Sequence, residues 1–287
     1  MELLHRDGSK TQTAAGQERL LKFLYATLPG RLLLRLLICT WVSRAAGRLL
    51  SGKLSCLAIP SFIRNNGIDM SQFEPRRYQS YNDFFTRRIR PEARPVDLEE
   101  THFISPCDSK LTVIPVCADG RFVIKHTEYT LCSLLRDDAL AERYEGGQLL
   151  LFRLAVDDYH RYCFPVDARV GRSVRIRGVF HTVMPLANDH VPVYKENTRE
   201  YCLLSSERFG ELVMMEVGAL LVGRIVNHPV SGRVRRGQEK GMFEFGGSTI
   251  VLLVEKDRVA MDEDLVRNSQ NGYETVVKYG EKIGIAM

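Results

Sequence analysis

Gly241-Met242-Phe243-Glu244-Phe245-Gly246-Gly247-Ser248-Thr249-Ile250-Val251-Leu252-Leu253-Val254 is the stretch whose reading decides the fold. It begins as an alternating strand, breaks at two glycines, and resumes as a wholly apolar strand. Paired glycines between strand-like runs mark a bulge, a tight turn or a close backbone approach, because only glycine tolerates the dihedrals needed. The residue at the break is a serine. A hydroxyl held there is placed to attack the carbonyl of Gly247, turning an amide into an ester whose breakdown leaves a new chain end at residue 248. The plainer reading is a β-bulge whose serine only hydrogen-bonds, and this stretch taken alone favours it.

Outward from that stretch, residues from Thr101 on read as short apolar runs with turn punctuation. Strands are expected at 111–117, 121–125, 148–156, 169–176, 201–204, 212–217, 220–226 and 249–254, with one helix at 131–143. Such spacing predicts an α+β fold with a mostly β core, barrel-like or sandwich-like. Before it, Ser80 and Asp83 resemble a capping box. Arg90-Pro91-Glu92-Ala93-Arg94-Pro95-Val96-Asp97 reads as an extended connector.

Residues 1–16 are small, polar and expected to be loose. From Gln17 to Leu50 the chain is leucine-rich and helical in composition, with Pro29-Gly30 expected to end one helix near Leu28 and start another at Arg31. The net charge of +5 is concentrated here: nine Lys/Arg against three acids within residues 1–60 leave +6 on that end and about −1 on the rest. A basic end on a nearly neutral body calls for an anionic partner at that end alone, and no nucleic-acid partner is expected. The longest uncharged piece, Leu36 to Ser43, is too short to cross a bilayer, so the segment reads as lying on a membrane. The alternative is a helical hairpin packed on the protein's own core. Residues 1–60 therefore read as a helical, membrane-associating segment and 61–287 as the functional domain.

The composition, 45 % hydrophobic and 26 % charged, is that of a folded protein. Seven cysteines form no C-x-x-C pair, which predicts a reduced, cytosolic setting and no structural zinc; no metal is expected.

A serine is a weak nucleophile until a base takes its proton, and the base needs a third group to orient it. Of seven histidines, His160 stands where an apolar strand ends, in Asp157-Asp158-Tyr159-His160-Arg161-Tyr162-Cys163; His181 follows a second turn and is the reserve. For the orienting acid, Ser105-Pro106-Cys107-Asp108-Ser109 puts an aspartate in a turn before an apolar strand, where an Asx-turn is the plainer account.

Four motifs in order carry a resemblance. Tyr78–Asp97, with its Asn-Asp-Phe-Phe-Thr-Arg and Arg-Pro-x-x-Arg-Pro elements, resembles a conserved segment of the phosphatidylserine decarboxylases. Ser105-Pro106-Cys107-Asp108 is similar to that family's Pro-Ala-Asp-Gly-type turn, and Asp158-Tyr159-His160-Arg161 to its Asp-Tyr-His-Arg motif. Gly246-Gly247-Ser248-Thr249 resembles a variant of its self-cleavage site. The likeness covers about residues 20–285.

The resemblance implies a proenzyme that cuts itself between Gly247 and Ser248 into a large chain, 1–247, and a small chain, 248–287. Asp108 would orient a histidine, the histidine would deprotonate Ser248, and elimination with loss of ammonia would leave a pyruvoyl group at residue 248. That covalent cofactor would form a Schiff base with phosphatidylserine and release carbon dioxide, giving phosphatidylethanolamine. Many relatives carry a second histidine three positions after His160 as the cleavage base, but here Cys163 stands there. The role falls to His160, with His181 in reserve, because a thiol between Tyr162 and Phe164 is expected to stay protonated. The expected partners are phosphatidylserine in an anionic surface and the two chains of one precursor. The setting is peripheral, on the cytoplasmic face of the cell membrane; oligomeric state stays open, a homodimer included. Two alternatives remain: a pyruvoyl-dependent decarboxylase of a soluble amino acid, and a non-catalytic lipid-binding protein.

Overall fold

The computed structural model of the chain describes residues 2–12, 22–219, 224–244 and 248–287. In chain order the strands are β1 (Glu2–His5), β2 (Lys10–Gln12), β3 (His102–Ile104), β4 (Ser109–Pro115), β5 (Arg121–Ile124) and β6 (Thr127–Thr130). There follow β7 (Gln148–Leu154), β8 (Arg161–Cys163), β9 (Ala168–Ile176), β10 (Arg199–Ser206), β11 (Gly210–Val217) and β12 (Ile225–Asn227). The last are β13 (Gly232–Val234), β14 (Glu239–Phe243), β15 (Ser248–Val254), β16 (Val259–Met261), β17 (Glu274–Val277) and β18 (Lys282–Ala286).

Ten strands make one sheet in the order β13-β9-β10-β11-β15-β7-β4-β17-β1-β2. The apolar run after Ser248 is its centre, antiparallel to β11 on one side and to β7 on the other. Both faces of that strand are covered: Val251 and Leu253 enter one core while Ile250, Leu252 and Val254 enter the other. A strand buried on both faces has no use for polar alternation, which is why its sequence is continuously apolar. The second core is closed by residues of two three-stranded sheets, β12-β14-β8 and β16-β18-β3; the first by the β5-β6 hairpin and helical segments. In β14, Gly241 is required by crowding, since a Cβ there would stand 2.9 Å from the Tyr162 hydroxyl.

The architecture is layered rather than closed, which corrects the barrel expectation: the outer strands β13 and β2 are three residues each and do not pair with one another. Short edges end a sheet where a further strand would have to find partners. A second correction concerns residues 1–16. Among those described, β1 pairs in parallel with β17 and β2 folds back upon it. Arg6 secures the hairpin with ion pairs to Asp262, Asp264 and Glu281.

The helical end also differs in its boundaries. The helix Leu28–Leu37 begins before Pro29, which sits in the first turn where its missing N–H costs nothing, while Thr27 caps the Gly30 N–H. Thr40–Leu50 forms the next helix. The start of the 17–28 helix and of the 220–226 strand lies outside the described residues. The expected 131–143 helix is two, Leu131–Leu135 and Asp138–Glu142, split where Arg136 adopts a left-handed φ of 52° and Asp137 caps Leu140. Ser80 caps the helix Tyr81–Phe85 by accepting the Asp83 N–H, but the Asp83 carboxylate accepts from the Gln79 N–H, so only half of the expected capping box forms. A small apolar cluster of Ile59, Tyr81, Phe84 and Phe85, with Leu50 and Cys56 against it, makes packing continuous across residue 60.

Candidate active site

Strand register gathers the candidate residues at one end of the large sheet. Ser248 opens β15 opposite Leu154, the last residue of β7, and Thr249 lies opposite Val217, the last of β11. Ser109 opens β4 opposite Val277, the last of β17. The 155–160 segment, Asp108, Tyr279 and Ser248 therefore emerge from adjacent strand ends. Gly247 lies outside the described residues.

Ser248 is fully buried, and its Oγ has no hydrogen-bond partner among the described residues. Leaving a buried hydroxyl unsatisfied costs about 1–3 kcal/mol, so an orphan at this position demands an explanation beyond packing.

His160 is also fully buried, its ring 4.1 Å from that of Phe85. Its Nδ1 lies 2.9 Å from the Asp158 carbonyl oxygen. A carbonyl only accepts, so Nδ1 carries the hydrogen, and in the neutral ring Nε2 carries the lone pair that a general base needs. Asp158 is held by Lys110 Nζ at 2.6 Å and by the Ala155 N–H at 2.7 Å. Burial pushes its carboxyl pKa up, against the pull of Lys110.

Asp108 faces a cation. Arg94 Nε and Nη2 donate to its carboxylate at 2.8 and 2.6 Å, and the Tyr279 N–H donates at 2.8 Å. No histidine among the described residues hydrogen-bonds to it; His160 is oriented by the Asp158 backbone instead. The structure thus brings Asp108 to the same sheet end as His160 and Ser248 without a direct Asp108–histidine contact.

His181 is buried elsewhere in the network. Its Nδ1 lies 3.2 Å from the Tyr25 hydroxyl and its Nε2 3.5 Å from Glu196. Burial lowers its pKa, against the attraction of Glu196. Asn197 accepts the His181 N–H and donates to the Gly218 carbonyl, one residue beyond β11. With both ring nitrogens facing these partners, His181 is the less suited of the two histidines to serve Ser248. Cys163 is completely buried and its thiol is pushed up to about 12, so it stays protonated as the sequence reading expected.

Charged residues inside apolar runs were the signal that sequence reading passed over. Arg153, within Leu149-Leu150-Leu151-Phe152-Arg153-Leu154, pairs with Glu274 through two guanidinium nitrogens, with Nε at 3.1 Å. Lys240, within β14, bonds Glu216 at 2.7 Å and Asn227 at 3.0 Å. Arg94, in the connector, is the residue that sets Asp108. No cluster of three or more potential metal ligands occurs among the described residues.

Comparison with known proteins adds an independent finding. The sequence profile of the family described as phosphatidylserine decarboxylase matches residues 81–285. A protein of Clostridium acetobutylicum named phosphatidylserine decarboxylase proenzyme 2 is 46 % identical over 265 residues, covering 92 % of this chain and 91 % of the relative. A phosphatidylserine decarboxylase proenzyme of Fusobacterium nucleatum subsp. nucleatum is 38 % identical over 281 residues, 96 % of this chain and 93 % of the relative. One of Chlamydia felis is 37 % identical over 273 residues, 93 % and 91 %.

Proposed function

Because this chain belongs to the phosphatidylserine decarboxylase family, we propose that it is a self-processing carboxy-lyase that converts phosphatidylserine to phosphatidylethanolamine at a membrane surface. The observation that carries this reading is the buried Ser248 hydroxyl, held without a partner among the described residues at the start of the central strand and directly after Gly247 in the sequence. In the proenzyme, His160 Nε2 takes the Ser248 proton and the Oγ attacks the Gly247 carbonyl carbon. The Gly247–Ser248 amide becomes an ester; β-elimination releases 1–247 as a carboxylate and leaves 248–287 with a dehydroalanine end, whose imine tautomer takes up water and loses ammonia. Asp108 supplies negative charge at the same sheet end. Its oxygens are held by Arg94 and Tyr279, so no direct hydrogen bond transmits that charge to His160.

The orphan hydroxyl suits a residue destined to become a pyruvoyl group: once converted, the side chain no longer has a donor to satisfy. That group supplies a ketone able to engage the substrate amine and accept the electrons left as carbon dioxide departs. The chain contributes a dry setting, with Ser248, His160 and Asp108 all buried, and a histidine whose proton can be delivered to carbon or taken from oxygen.

The substrate is a membrane lipid, and the helical end offers a surface for reaching it. Leu28, Leu32, Leu36, Leu54 and Leu57 are exposed, among the basic residues Arg31, Arg35 and Lys53. No helix among the described residues is long and apolar enough to cross a membrane. Peripheral attachment through leucines and cations is the arrangement such a surface supports.

The test is chemical. A carbonyl-reactive hydroxylamine probe should label a fragment beginning at residue 248 in the wild-type protein and label nothing in Ser248→Ala, which should remain one chain. Normal processing of Ser248→Ala would refute the nucleophile; a processed wild type without a reactive ketone would refute the cofactor.

A further inference from the structure

Arg87, Arg153 and Arg199 are all fully buried, and two of them are satisfied. Arg153 is paired with Glu274, and Arg199 donates to the carbonyl oxygens of Leu134, Ser133, Lys195 and Asn197. Among the described residues Arg87 has no ion pair and no set of carbonyls; the Asp108 carboxylate acts on it only through space. Among the described residues its Nε and Nη1 have no hydrogen-bond partner, and Nη2 reaches the Asp157 carbonyl at a long 3.5 Å. Its guanidinium packs instead on the rings of Phe73, at 4.3 Å, and Phe84, at 4.8 Å. Two aromatic contacts compensate part of the charge and hold the group in place, but they leave its N–H edges unused.

The position is as telling as the deficit. Arg87 follows the helix Tyr81–Phe85, whose Phe85 ring lies 4.1 Å from His160. Its one carbonyl contact, Asp157, belongs to the segment that presents His160. The aromatic partner Phe73 also reaches Tyr159, at 6.3 Å between rings. A dry guanidinium with unused donors against the segment that carries the candidate base is a receptor for an anion, because arginine matches a planar or tetrahedral oxyanion with parallel N–H bonds and low polarity strengthens each of them.

We propose that Arg87 binds the phosphodiester of the lipid headgroup while the rest of that headgroup lies at residue 248. This rests on the decarboxylase reading and names the residue that grips the substrate within it. The headgroup offers two anions, a carboxylate and a phosphodiester. The carboxylate must leave as neutral carbon dioxide, and a cation holding it would stabilise the starting state more than the transition state. The phosphodiester keeps its charge throughout, so gripping it lowers KM without opposing the reaction. Arg87 is closed to water here, so the headgroup must displace packed side chains to reach it.

The test compares wild type with Arg87→Met, which keeps an apolar stem against Phe73 and Phe84, and with Arg87→Lys. Self-cleavage, read by mass, should be retained in both. For Arg87→Met, KM for phosphatidylserine in mixed micelles should rise roughly 10- to 100-fold with kcat changed less than about threefold, and Arg87→Lys should recover part of that loss. As a readout apart from turnover, glycerophosphoethanolamine, which has the phosphodiester but no carboxylate, should raise the melting temperature of the wild type and not of Arg87→Met. Serine, with the carboxylate only, should bind the two alike. An unchanged KM in cut Arg87→Met, or loss of serine binding in place of glycerophosphoethanolamine binding, would overturn the proposal. If Arg87→Met does not fold, Arg87→Lys decides, and an unchanged KM in that folded, cut variant overturns it too. A wild type that is never cut would refute the decarboxylase reading itself, and this proposal with it.

Discussion

Residue 248 holds a hydroxyl that the fold has removed from water and left without a partner among the described residues, two features that packing alone does not reward. The choice of base is a matter of single residues as well. His160 has its Nδ1–H fixed on a backbone carbonyl, while His181 is turned toward Tyr25 and Glu196. Cys163 is a buried thiol with its pKa raised to about 12. Cys163→Ala should therefore process at a rate within about threefold of wild type, followed by gel or mass over time; abolished cleavage would reinstate the thiol as the base. His181 gives a pH prediction. Burial holds its folded pKa below the ordinary 6.5, so below that pH the unfolded chain binds a proton that the folded chain refuses. Its contribution to stability is complete above about pH 6.5 and is lost as pH falls through the lowered folded value. Melting temperatures between about pH 7.5 and 5 should fall more steeply for wild type than for His181→Gln; equal slopes would contradict the buried neutral ring. The sequence nominated Ser248, His160 and Asp108 through their motifs, and the structure brings them to one end of the sheet. It did not show that Asp108 faces Arg94, since an arginine in a proline-flanked connector gives no hint of which carboxylate it will meet.

Among elements, the central strand was the most legible, because seven buried positions in a row leave only one kind of place in a sheet. The first strand was the least. Glu2–His5 is short, and its partner Glu274–Val277 lies at the far end of the chain, a pairing that local pattern cannot reveal. The split of the 131–143 helix turned on one left-handed residue, Arg136, which composition does not mark. The helical end kept its leucines but distributed them unequally. Leu34 turns inward while Leu32, Leu36, Leu54 and Leu57 stay in water. Replacing those four exposed leucines with serine should lower binding to phosphatidylserine-containing vesicles roughly tenfold or more and leave self-cleavage intact, as read by co-sedimentation and by mass. Undiminished vesicle binding would assign the surface to another role. Deleting residues 1–50 outright would be a poorer experiment, because it also removes β1 and the Arg6 ion pairs from the core.

On the scale of the whole molecule, the proposed cut falls at the start of the strand that holds the large sheet together. After it, residues 248–287 would still supply β15 between β11 and β7, and β17 between β4 and β1. Arg6 of the large chain would remain paired with Asp262, Asp264 and Glu281 of the small one. Neither piece has a complete core alone, so the products should stay in one particle and share a single site. That organisation was only partly legible in the sequence. The order of motifs announced the family, but the gathering of strand ends at one end of the sheet around Ser248 depends on register, which a one-residue slip would change.

The most direct measurement is the intact mass, under denaturing conditions, of active protein taken from a single native size-exclusion peak. The account predicts two species from that peak, residues 1–247 and a 40-residue partner from 248 to 287 whose first residue carries a ketone in place of an amine. A single unbroken chain of 32.7 kDa with full decarboxylase activity would contradict it.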